Sequence, residues 1–187
     1  MTRQELEAAI LDTINRPDLS ASMFFSMGEA DIRSRLRHWR TERLVTLTVT
    51  DGAITLPDDY LSTISASTED EGQLFRGAVT QPSTAHGLQM HIAEELEGAT
   101  IDLKYYSRLD RLSSANSSNW VSEDHPDLYL YAGLRHTAPY LIEDARIATW
   151  DALYESALAR IERERVRQIN DGPPMRQSIH TPTRGRR

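Results

Sequence analysis

The sequence contains no cysteine. Disulfides, thiolate-ligated zinc and a thiol nucleophile are excluded at the outset. No apolar run approaches the roughly 18 residues of a membrane span, and Met1-Thr2-Arg3-Gln4-Glu5 leads into no apolar core of a secretion signal. The expectation is a chain made and kept in a cytoplasm, with no membrane partner. Glycine is sparse, with nine scattered residues in 187, and none builds G-x-x-x-x-G-K or G-x-G-x-x-G, so no phosphate-cradling loop is present. G-x-S-x-G and H-E-x-x-H are missing as well. The residues point to no enzyme and no cofactor.

What is present is a polar chain with 39% hydrophobic and 26% charged residues, which suits an ordinary globular protein. The net charge of −7 hides an asymmetry: residues 160–187 carry eight arginines against Glu162, Glu164 and Asp171, whereas residues 1–159 are strongly acidic. An acidic body with a basic tail suggests a tail that docks on nucleic acid or on an acidic protein surface.

Thr2 and Glu5 form a T-x-x-E capping box that starts a helix, with Leu6, Ala9, Ile10 and Ile14 as its apolar stripe. A second helix is predicted over 22–41, with Phe25, Ile32, Leu36 and Trp39 at helical spacing. The period then becomes two. Leu44-Val45-Thr46-Leu47-Thr48-Val49-Thr50 and Ala53-Ile54-Thr55-Leu56-Pro57 flank Asp51-Gly52, which predicts a type I′ hairpin. Further strands are predicted over 60–67, 73–79, 88–92 and 100–106, separated by pieces such as Gln81-Pro82-Ser83-Thr84, which reads as a turn. Short strands in series imply antiparallel pairing. Helices follow over 125–140 and 144–169. In the second, Ile147, Trp150, Tyr154, Ala157, Leu158 and Ile161 form a stripe expected to pack on the N-terminal helices. Asp171-Gly172-Pro173-Pro174 then breaks any helix. The expected fold is α+β: a helical bundle from both chain ends (1–42 and 107–170), an inserted antiparallel β region (43–106) and an extended basic tail (171–187).

The triplet His125-Pro126-Asp127 is the signature of J-domain co-chaperones, but no basic helix precedes it here. It is better read as a helix start, with Asp124 as N-cap, Pro126 in the first turn and Asp127 at the positive end of the dipole. His86, His91, Glu94 and Glu95 raise a metal site, but Leu88–Ile92 reads as a strand and no recognised ligand spacing is present. Arg33, Arg35, Arg37, Arg40 and Arg43 are either a face toward DNA phosphates or, the simpler reading, a solvated face paired with Glu29, Asp31 and Glu42. A small DNA-binding regulator using this helix and the tail is the alternative reading.

The chain resembles the head-to-tail adaptor (connector) proteins of short-tailed bacteriophages. The shared pattern is Tyr105-Tyr106, a Ser/Asn-rich loop, Asn119-Trp120, Pro126-Asp127-Leu128-Tyr129-Leu130-Tyr131, Ala138-Pro139-Tyr140-Leu141 and Trp150, with an N-terminal part around Trp39. The resemblance implies a structural role with no active site: a ring, twelve-fold in the virion, beneath the portal protein. It would prolong the DNA channel, lie close to genomic DNA without reading its sequence, and offer a platform for tail nozzle or fibre proteins. It further implies a C-terminal segment that docks on the portal. Here that segment carries Arg160, Arg163, Arg165, Arg167, Met175, Arg176, Ile179, Arg184, Arg186 and Arg187.

Overall fold

The computed structural model describes residues 1–68, 72–73, 80–83, 87–91, 96–141 and 146–170. Two helices open the chain, α1 (Arg3–Ile14) and α2 (Ala21–Arg35). The capping box forms as predicted: the Thr2 hydroxyl accepts from the Glu5 N–H, and the Glu5 carboxylate accepts from the Thr2 N–H at 2.8 Å. Asn15, left-handed at φ 53, closes α1.

The second helix is shorter than its spacing suggests. It stops at Arg35, and Leu36 turns extended with its side chain still in the core. His38 and Thr41 then exchange local hydrogen bonds around a 3₁₀ turn (Trp39–Thr41), offering the backbone an alternative to the helical ladder. Trp39 is thereby carried off the expected core stripe and is 40% exposed.

Among the described residues seven strands follow: β1 (Glu42–Thr48), β2 (Ala53–Thr55), β3 (Tyr60–Thr68), β4 (Gly72–Gln73), β5 (Thr80–Ser83), β6 (Gly87–His91) and β7 (Thr100–Ser107). They form two sheets of order β1-β7-β3-β4 and β2-β6-β5, with every pair antiparallel. The Asp51-Gly52 turn has both residues at positive φ, 54 and 69, as a type I′ turn needs. Only its tip closes, through the Thr50–Ala53 bridge, while β1 pairs with β7 and β2 with β6. The piece around Pro82, predicted as a turn, is edge strand β5, a position where a missing N–H is tolerated. Of the strand predicted over 73–79, residues 74–79 lie outside the described residues.

The chain returns to helices through α3 (Trp120–Asp124), α4 (Pro126–Arg135), a 3₁₀ turn (Ala138–Tyr140) and α5 (Arg146–Asn170). The predicted helix over 125–140 is therefore preceded by a separate short one. Asn119, not Asp124, is the side-chain cap: its Oδ1 accepts from the Val121 and Ser122 N–H groups at 3.1 and 3.0 Å. Pro126 disfavours helical geometry at the residue before it, so His125 breaks the two helices apart. Pro126 and Asp127 do stand in the first turn of α4.

Two apolar cores result. One joins Leu6, Phe24, Phe25, Leu128, Tyr129, Tyr154 and Leu158 within the helices, and the other joins Val49, Ile54, Leu56, Met90, Ile101 and Leu103 between the sheets. The stripe of α5 is buried from Trp150 to Ile161; it packs chiefly along α4 and shares the core to which α1 and α2 contribute. α4 itself occupies the face of α2, where Gly28 lets the backbones approach: a Cβ there would sit 2.5 Å from the Ala132 carbonyl carbon.

Candidate functional site

Four parts of the chain converge where helices meet sheet: the segment after α2, the α3–α4 junction, the last turns of α5 and the end of β7. The first three border an open cavity of about 280 Å³ lined by His38, Trp39, Trp120, His125, Glu164 and Arg167, with the Arg40–Asp124 pair at its side.

Each lining residue is held for a local reason. The Arg40 N–H donates to His38 Nδ1 at 3.3 Å, so the ring proton resides on Nε2. That Nε2 is buried and has no partner among the described residues. The ring stacks on Trp120, with centroids 4.7 Å apart. Burial, and secondarily the Arg40 charge, push the His38 pKa down from 6.5 to about 4. The Arg40 guanidinium lies 5.4 Å from the Trp39 ring and 5.2 Å from the Trp120 ring, and bonds Asp124 at 2.6 Å. His125 turns its edge to Trp120 and its Nε2 to Glu164, 3.5 Å away. The triplet histidine is thus part of the packing at this joint.

The α5 arginines named from sequence have separate partners. Arg160 reaches Asp127 at 2.7 Å, which ties α5 to the first turn of α4. Arg165 lies over Tyr106 at 6.0 Å and donates to its hydroxyl at 3.4 Å, while its buried Nε has no partner among the described residues. Arg163 bonds the Ala159 carbonyl, and Arg167 borders the cavity. Met175, Arg176, Ile179, Arg184, Arg186 and Arg187 lie outside the described residues.

The other motif residues are spread through both cores. Tyr129 stacks flat on Phe25 at 5.5 Å and its hydroxyl accepts from Asn119 at 2.9 Å; burial raises its pKa well above the usual phenol range. The Tyr105 hydroxyl donates to Asp59 at 2.9 Å, and burial, then that bond, push it up to about 12. Trp150 is buried under Arg146, Tyr131 packs half-buried against the helical core, and Tyr140 meets Phe24 edge-on from the turn that holds Pro139.

The arginine set in the last turn of α2 and after it proves to be neither a free face nor paired as expected. Arg33 donates to the Leu109 carbonyl at 2.7 Å, Arg35 grips Glu155 with two bonds of 2.7 and 2.8 Å, Arg37 reaches Ser62, and Arg43 pairs with Asp59. Glu29 instead accepts the buried Leu112 N–H at 2.7 Å, Asp31 faces His136 and Arg135, and Glu42 holds Lys104. Among the described residues no group of His, Asp and Glu is arranged to hold a metal. His91 is exposed on β6, and His86, Glu94 and Glu95 lie outside the described residues.

Sequence reasoning missed His38 and Asn119. The signal for the first was H-x-x-T beside a tryptophan just past a helix, and for the second Asn-x-x-Ser before it. No helix of the described residues is long and apolar enough to cross a membrane. No curated protein sequence matches this one. The family model of the SU10 adaptor proteins matches residues 1–178, which takes in both helical parts, both sheets and the joint, and the chain belongs to that family of phage head-to-tail adaptors.

Proposed function

We propose that this adaptor is a structural ring component, twelve-fold in the virion, bound beneath the portal protein. It prolongs the DNA channel and presents a platform to tail nozzle or fibre proteins. Family membership over residues 1–178 is the observation that carries this reading. The joint supports it, since its histidines, tryptophans and arginines brace one element against another. On this reading the protein performs no catalysis and takes no cofactor. The chain divides functionally at 43, 107 and 171 into bundle, β region, bundle and tail. The tail, from Arg160 onward, supplies the portal contact.

The test is co-sedimentation and electron microscopy of full-length protein with purified portal rings. A ring of added density on one portal face, lost when the chain is truncated after Asn170, is the expected result. Equal binding by the truncated chain would sink the tail assignment, and no binding by the full chain would sink the adaptor ring.

A further inference from the structure

The half-closed hairpin leaves a cleft. Val49 donates to the Ala99 carbonyl on the β7 side, and Thr50 and Ala53 exchange bonds of 2.9 and 3.1 Å on the other side. Successive residues of a strand direct their hydrogen-bonding groups to opposite edges. The backbone groups of Leu44, Thr46 and Thr48 therefore face away from β7. On β2, Leu56 donates to Leu88, so Thr55 faces away from β6 by the same alternation. In a zipped hairpin Thr48 would pair with Thr55, but neither β1 nor β2 has any further partner among the described residues. Pro57, opposite Thr46 in that register, has no N–H to offer, and Ile54 and Leu56 are drawn into the sheet core. Beside the two edges, and reaching over β6, lies a cavity of about 490 Å³ bordered by Leu47, Thr48, Thr55, Gln89 and His91.

We propose that this cleft receives the chain's own C-terminal segment, residues 176–181, as an added strand bonded to both edges. Three observations select that occupant. The first is charge. Asp51 borders the cleft at the turn, and the Glu97 carboxylate is fixed beside it on the Asp51 and Gly52 N–H groups at 3.0 and 2.9 Å. The segment beyond Asn170 carries four arginines against Asp171. The second is pattern. Arg176-Gln177-Ser178-Ile179-His180-Thr181 is free of proline and glycine, has β-branched residues at alternate positions, and is closed by Pro182. The third is reach. Arg165, five residues before the last residue of α5, bonds Tyr106, which pairs with Glu42 at the start of β1. From there the cleft is six residues along β1, roughly 20 Å, while the nine residues from Asn170 to Ile179 span up to about 30 Å. A tether this short gives the intramolecular partner an effective concentration near millimolar. The added strand runs parallel to β1 and antiparallel to β2. The segment proposed to meet the portal is thus held on the adaptor's own body before assembly.

The absence of cysteine makes the test direct. In the full chain, Thr55→Cys is combined in turn with single cysteines at Gln177, Ser178, Ile179, His180 and Thr181, and mild oxidation is followed on non-reducing gels. The expected result is an intramolecular disulfide whose yield alternates with period two along the tail and is unchanged over about a tenfold dilution. Thr55 is exposed, so Thr55→Cys alone should leave the thermal midpoint unchanged and serves as the folding control. Uniform yield along the tail, or none, would overturn the proposal. Dimers or ladders in place of the intramolecular product would overturn it in favour of a second copy as occupant.

Discussion

Acid should loosen this protein through a single imidazole. His38 is 2% exposed, and burial, then the Arg40 charge, depress its pKa from 6.5 to about 4. His125 and Arg165 add to the depression, and Glu164 opposes it. A folded-state pKa below the unfolded one gives stability that is fully present above the unfolded value and is lost as pH falls through the window from 6.5 to about 4. With one unit worth about 1.4 kcal/mol the ceiling is about 3 kcal/mol, of which about 2 kcal/mol is gone by about pH 5. In a chain of this size that is about 4–8 °C in Tm. The comparison is His38→Asn, whose side-chain oxygen can still accept the Arg40 N–H but does not titrate. The variant is less stable at neutral pH because it loses the stack on Trp120. Its Tm should nevertheless fall less steeply than the wild type between about pH 7 and pH 5, the carboxylates shared by both proteins cancelling in the difference. Calorimetry at a series of pH values reads the two slopes. Parallel slopes, or an NMR titration midpoint for His38 near its ordinary value, would refute the reasoning.

Two glycines should separate backbone from side-chain crowding. Gly28→Ala drives a methyl into the α4 backbone, 2.5 Å from the Ala132 carbon and 2.6 Å from the Gly133 nitrogen, and should cost about 3 kcal/mol in denaturant unfolding. Gly133→Ala meets the movable tip of Ile10 and should cost about 1 kcal/mol; equal losses would mean the helix crossing adapts more readily than its geometry implies. Glu29→Ala removes the acceptor of the Leu112 N–H and should lower stability by about 1–3 kcal/mol, whereas Asp127→Asn at the more exposed pair with Arg160 should cost about 1 kcal/mol or less. The order of those two losses, read from urea midpoints, is the check.

The arginines change meaning once their partners are known. Arg35 joins α2 to α5, Arg37 joins the segment after α2 to β3, Arg40 joins it to α3, and Arg43 ties β1 to the residue before β3. Arg135 meets Asp31, Asp151 and the Tyr154 ring. Guanidinium suits this duty because its planar fork satisfies a carboxylate and an aromatic face together. Most of these pairs are partly exposed and individually worth about 1 kcal/mol or less, so their value is in orientation more than in stability. For an adaptor, which must keep a fixed shape between neighbours, orientation is the useful quantity.

What was legible in the sequence divides along a physical line. Periodicity records which side of an element is buried, and so the stripes of α1 and α5, the strands β1, β2, β3, β6 and β7 and the Asp51-Gly52 turn could be read directly. It does not record the partner. Nothing local to β2 says that Met90, thirty-odd residues on, outcompetes β1 for Ile54, although Pro57 marks where the hairpin must fail. Helix ends were misjudged where side chains compete for the backbone, at His38 with Thr41 and at Asn119 with Ser122. Within the candidate site, Trp39, Trp120 and the helix start at Pro126 were legible through a motif, whereas the cavity was not. It depends on Glu164 and Arg167 arriving from α5, more than a hundred residues beyond His38. A contact of that separation is fixed by how α5 packs on α4, which only the folded chain decides.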